Sequence, residues 1–405
     1  MRRTHERVKN RRALGLLTVT HGVNDMYQGA VPALLPFLVA ERGYSYALAT
    51  GIVVAATGLS SVVQPLFGVA VDRRRMSWLV AVGMIAAGVG VGLSGLVDDY
   101  AWTWLAIAVS GLGVAAYHPA AAKAARVAGG GSARSMGVFS VGGNVGGALA
   151  PLFVALVLNA AGTRGTWLLA VPAVVAGVGY LLARRVSDSG PATATAPASA
   201  EGATGRDDWR AFARLSALAV FWSIPYVVMG SFAALNVIGR FHVSTATGTA
   251  TLTVFTAGGV VGTLAGGWLA ERRGRLSTIR LGYLTAALAV AGVVFSPGLA
   301  GVLCCTALFG TALFVPFAAQ VTLAQDYLPN RVGTASGLTL GLTLSVGGLL
   351  SPAFGALADA WGVRTVLVCL VAVLAVAVLI TLRLPEPSGP LPSPRSDPEP
   401  ADAAA

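Results

Sequence analysis

Charged residues are scarce in this sequence. Asp, Glu, Lys and Arg make up 11% of its 405 residues, whereas a soluble domain has about one quarter. Hydrophobic residues reach 55%, a share far above that of disordered chains. This balance differs from that of an ordinary soluble domain. It predicts a polytopic membrane protein.

Cysteine is rarer still, with three residues: Cys304, Cys305 and Cys369. All three lie in apolar segments, and their spacing fits no metal motif, so we interpret them as small packing residues. The sequence also offers no cofactor motif, nucleophile–base set or Walker sequence. We therefore predict no cofactor, no metal and no enzymatic activity. Any transport energy must come from an ion gradient.

Long apolar runs, by contrast, are abundant. A spanning helix needs about 20 mostly apolar residues, and twelve segments qualify. Their cores are 14–39, 47–70, 78–97, 101–122, 135–159, 165–183, 213–237, 246–270, 277–296, 299–323, 333–357 and 364–383. The expected fold class is all-α, with twelve transmembrane helices. The first run is too long for a signal peptide and lacks a small-residue cleavage site.

Two other stretches are poor in large apolar residues. Residues 186–212 are rich in Ala, Ser, Thr, Pro and Gly, a composition typical of a flexible linker. The end of the chain is rich in proline, which is typical of disorder. We therefore predict a six-helix half at 1–185, a linker at 186–212, a second six-helix half at 213–385 and a disordered tail at 386–405.

The positive charges are distributed unevenly. Of 28 Lys and Arg residues, only Arg42, Arg164, Arg240 and Arg364 fall in loops on one side of the predicted membrane. Because Lys and Arg accumulate on the cytoplasmic side, both termini are predicted to be cytoplasmic in a bacterial plasma membrane. The net charge of +11 then indicates contact with anionic lipid and no binding of nucleic acid.

The second half of the chain repeats the first at a distance of about 200 residues. The matched pairs are GVAVDRRR from Gly68 and GWLAERRGR from Gly267, GVAAYHP at 113–119 and GTALFVP at 310–316, and GGALAP ending at Pro151 and GGLLSP ending at Pro352. Parallel repeats of this kind imply two pseudo-symmetric halves about an axis along the membrane normal, with a binding site between them.

The stretch GVAVDRRR and its second copy resemble the loop motif of the major facilitator superfamily. The resemblance covers nearly the whole chain apart from the linker and tail. In that family the motif packs the inner ends of the helices, and its charges hold one conformation of the transport cycle. The resemblance therefore implies a gating role for Gly68, Asp72, Arg73, Glu271 and Arg272. Alternatively, these are cytoplasmic charges that only set the topology.

Three further segments resemble the fosmidomycin-resistance-protein family of drug exporters. They are HGVNDMYQGAVPALLPFL, GLGVAAYHPAAAKAAR and MGVFSVGGNVGGALAP, on the first, fourth and fifth spans. The resemblance implies an efflux antiporter connected with antibiotic resistance. In that family an acidic residue often follows the His–Pro pair, whereas this sequence has Ala120. The substrate is therefore not implied by the resemblance.

Polar residues are concentrated in the first span. His21, Asp25 and Gln28 recur at helical spacing and so share one face of the helix. Asp25 lies about 11 residues into the span, or roughly 16 Å deep at 1.5 Å per residue. A carboxylate that faced lipid there would cost a few kcal/mol or more. This face must therefore point into the bundle.

Two interpretations of Asp25 are open. It could make a structural hydrogen bond to a neighbouring helix, or it could carry a coupling proton. Burial favours the neutral form of a carboxyl, so Asp25 could load and release a proton as its exposure alternates. His21, one turn away, could relay that proton. We predict proton coupling by Asp25 and His21, with Asn24 and Gln28 in the substrate cavity.

Other spans contribute candidate cavity residues. His118 on the fourth span and Asn144 on the fifth are interpreted either as packing residues or as contacts to substrate or protons. Under the repeat, Asp25 corresponds to about Ser223, so the charged chemistry is concentrated in the first half. The second half is predicted to supply an apolar and aromatic wall. The residues predicted for it are Trp222, Tyr226, Phe314 and Gln320.

Together these features predict a proton-coupled secondary transporter that exports a small molecule by alternating access. An uptake symporter for a small organic anion would use the same residues, because the sequence does not set the direction. A non-transporting membrane sensor or scaffold would keep the fold without substrate-dependent proton flux. The expected partners are a small-molecule substrate, protons and membrane lipid, and the expected oligomeric state is a monomer.

Overall fold

The computed structural model describes residues 2–74, 76–129, 133–187 and 207–385. All regular elements within these ranges are helical, which confirms the predicted fold class. Most of the predicted linker and the whole predicted tail lie outside the described residues. The helices are α1 (Arg2–Arg42), α2 (Tyr46–Arg73), α3 (Leu79–Leu93), α4 (Tyr100–Ala128), α5 (Ala133–Ala161), α6 (Val171–Ser187), α7 (Trp209–Phe241), α8 (Thr245–Arg273), α9 (Arg275–Phe295), α10 (Leu299–Phe314), α11 (Phe317–Tyr327), α12 (Val332–Trp361) and α13 (Val363–Leu382), with 3-10 helices at Thr163–Ala170 and Pro329–Arg331.

Nine helical segments in the described part of the chain are long and apolar enough to cross a membrane. One of them, Thr163–Ala183, joins a 3-10 helix to α6, and another, Leu299–Tyr327, joins α10 to α11. The helix α3 is a shorter apolar segment of 15 residues. Together with α1 and α12, these segments make up the twelve predicted spans.

The tenth span is interrupted at Val315 and Pro316, between α10 and α11. Proline lacks a backbone N–H, and its ring clashes with the preceding turn of a helix. At the equivalent position of the first half, Pro119 lies inside the continuous helix α4. The matched sequences GVAAYHP and GTALFVP therefore lie on equivalent spans but differ in how the helix accommodates its proline.

The helices pack in the same pattern in each half. In the first half α1 packs on α5, α2 and α3 pack on α4, and α3 packs on α6. In the second half α7 packs on α12, α8 and α9 pack on α10, and α9 packs on α13. The halves meet through α2 with α12 and α5 with α8. These two contacts are equivalent under the repeat, as a pseudo-two-fold axis requires.

Glycines allow the backbones of α1 and α5 to approach closely. A Cβ atom added to Gly22 would lie 2.9 Å from the carbonyl oxygen of Gly142, and one added to Gly29 would lie 3.0 Å from that of Gly147. Such distances leave no room for a side chain, so small residues are needed at this helix contact. The close contact fixes α5 against the polar face of α1.

Two arginines at equivalent positions of the two halves donate hydrogen bonds to the ends of neighbouring helices. Arg42 donates to the carbonyl oxygen of Gly95 beyond α3 at 2.6 Å, and its side chain is only 5% exposed. Arg240 donates to the carbonyl oxygen of Val294 in α9 at 3.2 Å and to that of Ser296. The last carbonyls of a helix are unpaired and carry partial negative charge. These two arginines therefore have a structural role on the side where arginine is rare.

Polar contacts join the two halves at the end of the bundle where α2 begins. Asp359 of α12 accepts hydrogen bonds from the backbone N–H groups of Tyr46 at 2.8 Å and Ala47 at 2.9 Å. Ser351 Oγ donates to the carbonyl oxygen of Thr50 at 3.0 Å. A carboxylate at a helix start pairs with free N–H groups and with the helix dipole. The halves are thus in contact at this end.

Candidate functional site

Three ionisable side chains meet near the middle of the first span. His21 Nε2 lies 3.3 Å from Asp25 Oδ2, and His118 Nε2 lies 3.0 Å from Asp25 Oδ1. Helix α1 supplies His21 and Asp25 one turn apart, as the sequence predicted. Helix α4 supplies His118, which is 93 residues further along the chain. We call these three residues the Asp25 cluster.

The second ring nitrogen of each histidine fixes the position of its proton. His21 Nδ1 lies 2.8 Å from the carbonyl oxygen of Phe139, and His118 Nδ1 lies 2.9 Å from that of Val114. A carbonyl oxygen only accepts hydrogen bonds, so each Nδ1 must carry the hydrogen. In the neutral form of either histidine, Nε2 is then a bare lone pair directed at Asp25.

In this geometry the Asp25 cluster can bind as many as two protons. A lone pair facing a carboxylate oxygen makes no hydrogen bond, so each contact between a histidine Nε2 and Asp25 requires a proton. With two protons both contacts are satisfied, and the cluster carries one net positive charge. With none, the cluster carries one net negative charge and presents only acceptors.

The space for the cluster is provided by α5. The ring of His21 stacks on Phe139, with centroids 4.1 Å apart and planes at 9°. A Cβ atom on Gly143 would lie 2.7 Å from His21 Cε1 and would also collide with Asp25 Oδ2. Only glycine at position 143 therefore leaves room for His21 and Asp25 to meet. Neither Phe139 nor Gly143 was predicted as a site residue.

The same three donor atoms could also hold a metal ion, since they lie within 4.8 Å of one another. A histidine that ligates a metal commonly donates its other N–H to a backbone carbonyl, as both histidines do here. Two imidazole nitrogens and one carboxylate suit divalent transition metals. A divalent cation would therefore compete with protons for the Asp25 cluster.

The second half carries an aromatic cluster formed by Trp222, Tyr226, Phe314 and Phe317. Trp222 stacks on Tyr226 with ring centroids 5.0 Å apart. Phe314 packs edge-on against both rings, and Phe317 lies 5.6 Å from Trp222. Trp222 Nε1 donates to the carbonyl oxygen of Leu313 at 2.6 Å, which ties α7 to the tenth span. Three of the four predicted wall residues are thus brought together.

Tyr226 connects the aromatic cluster to the Asp25 cluster. Helix α7, which carries Tyr226, packs against α1, which carries Asp25. The Tyr226 side chain is half-buried, and it makes no hydrogen bond to another described residue. The polar cluster of the first half and the aromatic cluster of the second half are therefore neighbours at the interface of the halves.

The predicted amide residues have different surroundings. Asn24 is fully buried, and its Nδ2 donates to Asp25 Oδ1 at 3.2 Å. Its Oδ1 has no hydrogen-bond partner among the described residues. Gln28 and Asn144 are half-buried, and neither side chain bonds to another described residue. Their predicted role as cavity residues is compatible with this partial exposure and stays a prediction.

Gln320 lies inside the second half. It is 2% exposed, and its Nε2 donates to the hydroxyl of Tyr283 at 2.8 Å. That hydroxyl donates in turn to the carbonyl oxygen of Leu218 at 3.2 Å. Gln320 therefore links α11, α9 and α7, and this contact uses the amide that was expected to face the cavity. Its role in the cavity stays a prediction.

The first copy of the predicted gating motif lies at the end of α2. Gly68 and Arg73 are in its last turns, and Arg73 is exposed. The side chain of Asp72 lies outside the described residues. Close by, Lys123 of α4 donates to the carbonyl oxygen of Val71 at 2.7 Å. This contact joins α2 to α4 at the end of the bundle that the repeat motif occupies.

The second copy lies at the end of α8, where Glu271 and Arg272 are exposed. The guanidinium of Arg272 lies 4.3 Å from the ring centre of Trp268. Just beyond, Arg275 Nη2 lies 2.5 Å from Asp326 Oδ2 of α11. This ion pair is a charge contact that the structure describes near the motif, and it was not predicted from the sequence. The gating role of the motif residues stays a prediction.

The twelve spans, their pairwise repetition and the polar centre between them define a membrane transporter built from two similar halves. The family model described as Major Facilitator Superfamily matches residues 14–352. The chain belongs to this superfamily, as its loop motifs predicted.

Two relatives cover almost the whole chain. An uncharacterized MFS-type transporter, YfnC, of Bacillus subtilis is 30% identical over 91% of this chain and 92% of its own length. The fosmidomycin resistance protein of Escherichia coli is 27% identical over 92% of each chain. The predicted resemblance to the fosmidomycin-resistance protein is thus confirmed as a relationship of sequence.

Solved structures agree on the fold. A bacterial homologue of the human lysosomal transporter Spinster, inward-facing and occupied, matches with a TM-score of 0.78 at 17% identity over 92% of this chain and 96% of that chain. The nucleoside transporter NupG matches with a TM-score of 0.71 at 13% identity over 92% and 98%. At these identities the likeness is one of fold alone.

Proposed function

We propose that this chain is a proton-coupled secondary transporter that exports a small molecule from a bacterial cell. Its two six-helix halves rock about a central site, so that the site opens to each side of the membrane in turn. Both termini and the linker lie in the cytoplasm, and the transporter works as a monomer in the plasma membrane. Transport itself follows from the superfamily; the proton, the direction and the substrate are the proposal.

The observation that carries the proposal is the contact of His118 and His21 with Asp25. A carboxylate at mid-membrane is expensive unless it is paired or functional. Here it has two ionisable partners, 3.0 and 3.3 Å away, and its side chain is still 20% exposed. A group that is only partly enclosed can exchange protons with whichever side the site faces.

The two halves divide the work in this proposal. The Asp25 cluster handles protons, with His118 joining the predicted pair of Asp25 and His21. The aromatic cluster, together with Asn24, Gln28 and Asn144, lines the path of the substrate. The motif residues at the ends of α2 and α8 hold the cytoplasmic ends together in one conformation, as the superfamily resemblance implies.

Proton flux in everted membrane vesicles tests the proposal. The vesicle lumen is acidified, a panel of candidate substrates that includes fosmidomycin is added, and a pH-sensitive dye reports proton release. We expect substrate-induced release with wild type and none with Asp25→Asn. Asp98→Asn, which removes a carboxylate that is 61% exposed, serves as the matched control and should release protons like wild type.

The outcomes separate the alternatives. A response of Asp25→Asn equal to that of wild type would make Asp25 a structural residue. Substrate-driven proton movement in the opposite sense would favour an uptake symporter for an organic anion. Binding of a substrate with no flux of either kind would favour a sensor or scaffold.

A further inference from the structure

We propose that the substrate of this site is a lipophilic organic cation, which competes with protons for the Asp25 cluster and is enclosed by the aromatic cluster of the second half. The inference rests on the proposed function for its link to transport. The binding site itself follows from the contacts of the described residues.

The Asp25 cluster without protons presents only acceptors. Both Nδ1 hydrogens are directed at backbone carbonyls, so the two free Nε2 atoms offer lone pairs. The Asp25 carboxylate adds a full negative charge and is 20% exposed. Beside it, the buried Oδ1 of Asn24 has no partner among the described residues. A group of acceptors around one uncompensated carboxylate attracts a cation.

The Asp25 cluster with protons has no free donor for an anion. In that state His21 and His118 each donate from Nε2 to Asp25 and from Nδ1 to a backbone carbonyl. Anion recognition depends on free N–H donors, and Arg or Lys usually supplies them. All four N–H groups of the two imidazoles are occupied. An anion would have to break one of these bonds to be held.

The helices around α1 bring no further positive charge to the Asp25 cluster. Helix α4 directs His118 at Asp25, and its Tyr117 is bonded to Thr20 at 3.0 Å. Helices α6 and α7 also contact α1, and they carry Tyr180 and Tyr226, whose hydroxyls bear no positive charge in any protonation state.

Three more neighbours of α1 have no ionisable side chain at this depth. Residues 47–70 of α2, 79–93 of α3 and 246–270 of α8 contain no titratable residue. Along α4 the next cation is Lys123, about five residues or ~7.5 Å beyond His118. Its Nζ donates to the carbonyl oxygen of Val71, at the end of α2.

The opposite wall suits a cation as well. Aromatic rings carry negative charge on their faces and attract organic cations, most strongly when both partners are desolvated. Trp222 and Tyr226 form a stacked pair, and Phe314 and Phe317 are half-buried beside them. A carboxylate on one side and a group of rings on the other is the composition of a site for a large, weakly hydrated cation.

Competition between this cation and protons also accounts for antiport. The cation is attracted when the Asp25 cluster is negative and repelled when the cluster is positive. Each half of the cycle therefore carries either substrate or protons. An anionic substrate would reverse this relation, because it would bind best with the protons and would travel with them.

Two ions of the same size and opposite charge test the inference. Tetraphenylphosphonium and tetraphenylborate are added to the full-length protein in nanodiscs, with EDTA present to remove metal ions. We expect tetraphenylphosphonium to bind, and its affinity to rise between pH 6 and pH 8 by about tenfold per pH unit for each proton displaced. Tetraphenylborate should bind wild type no better than Asp25→Asn.

Variants of Asp25 and Tyr226 test separately what the carboxylate and the aromatic cluster contribute to binding. Asp25→Asn should lose the pH dependence and most of the affinity for tetraphenylphosphonium, whereas Asp98→Asn should retain both. Tyr226→Phe keeps an aromatic face and should retain more affinity than Tyr226→Leu. Tyr226→Leu keeps apolar bulk without that face and should bind several-fold more weakly.

Several results would overturn the inference. These are preferential binding of tetraphenylborate, tighter binding of tetraphenylphosphonium at pH 6, and absence of tetraphenylphosphonium binding by wild type that retains its thermal unfolding transition. Because binding needs neither a gradient nor transport, the proposed function fails separately. A protein that binds the cation at Asp25 but never moves protons would contradict the function and leave the inference intact.

Discussion

Asp359 in the second half accepts a hydrogen bond from the backbone N–H of Tyr46 in the first half at 2.8 Å. Its other oxygen accepts from the next N–H of α2, so one carboxylate satisfies two of the four donors that a helix start leaves unpaired. Alternating access requires the halves to separate at each end in turn. Separation at this end must break both bonds.

Asp359→Asn should therefore favour opening at this end. Asparagine keeps one acceptor oxygen but loses the charge and the second acceptor. Loss of a helix cap costs about 0.5–2 kcal/mol, which corresponds to about a two- to thirtyfold larger open population. The rate at which a membrane-impermeant maleimide labels Thr50→Cys reports it, because Thr50 is fully buried at this contact.

This labelling experiment needs a background without Cys304, Cys305 and Cys369. Asp98→Asn is the matched control, because Asp98 pairs with Arg42 and Arg164 of its own half and should leave labelling unchanged. Equal labelling of the Asp359→Asn protein and its parent would show that this carboxylate does not hold the halves together.

Gly143→Ala should disconnect His21 from Asp25. The added methyl group would lie 2.7 Å from His21 Cε1, so one of the two side chains must turn away. Hydrogen bonds to charged groups contribute about 1.5–3 kcal/mol, and we expect substrate-induced proton release to fall about tenfold or more. Gly147→Ala, on the same helix, is the control because its methyl group meets nothing within 4 Å. Similar losses in both variants would indicate general damage to α5.

His118→Gln should lower the number of protons carried in each cycle. Two histidine–Asp25 contacts can hold two protons, whereas glutamine can donate to Asp25 without ionising. We expect a ratio of two protons per substrate in wild type and one in the variant. The substrate gradient that balances a fixed proton gradient in proteoliposomes measures this ratio.

A histidine outside the cluster provides the control for that ratio. His242→Asn should leave it at two, because this residue lies in a left-handed turn after α7 that asparagine also adopts readily. A ratio that stays at two in His118→Gln would remove His118 from the proton path.

Arg42→Gln and Arg240→Gln should each lower thermal stability. Each arginine pairs with carbonyl oxygens at the end of a neighbouring helix, and an unpaired buried carbonyl costs about 1–3 kcal/mol. The midpoint of thermal unfolding should fall by about 2–4 °C for each kcal/mol lost. Arg164→Gln should change it little, since the Arg164 side chain is 78% exposed. If the midpoints did not change in Arg42→Gln and Arg240→Gln, the two arginines would not contribute to the stability of the fold.

The sequence was sufficient for the fold and for local features of the site. Hydropathy and repeats predicted the twelve spans, because a lipid environment requires long apolar helices. The contact of His21 with Asp25 followed from helical spacing alone. The contact of His118 with Asp25 did not, because it depends on how α4 packs against α1.

Other parts of the site depend on backbone positions that residue types do not reveal. The carbonyl oxygens of Phe139 and Val114, which fix the histidine protons, are backbone groups available on any residue. Gln320 was predicted to line the cavity from its place on the tenth span, and that role stays a prediction; the hydrogen bond of its amide to Tyr283 inside the second half was not predicted. The glycines of α5 alone do not show which of them is needed at the site. The role of Gly143 becomes clear only once Asp25 is known to lie next to it.

The interruption between α10 and α11 lies next to Phe314 and Phe317 of the aromatic cluster. The helices that carry the Asp25 cluster, α1 and α4, are continuous on both sides of that cluster. In the proposed function, the span that lines the substrate path is therefore interrupted, whereas the two helices that carry the proton site are continuous. Substitutions near the interruption can therefore change the size and shape of the substrate site without changing the residues that bind protons. Transporters that descend from one ancestor could in this way acquire new substrates during evolution while they keep the same ion coupling.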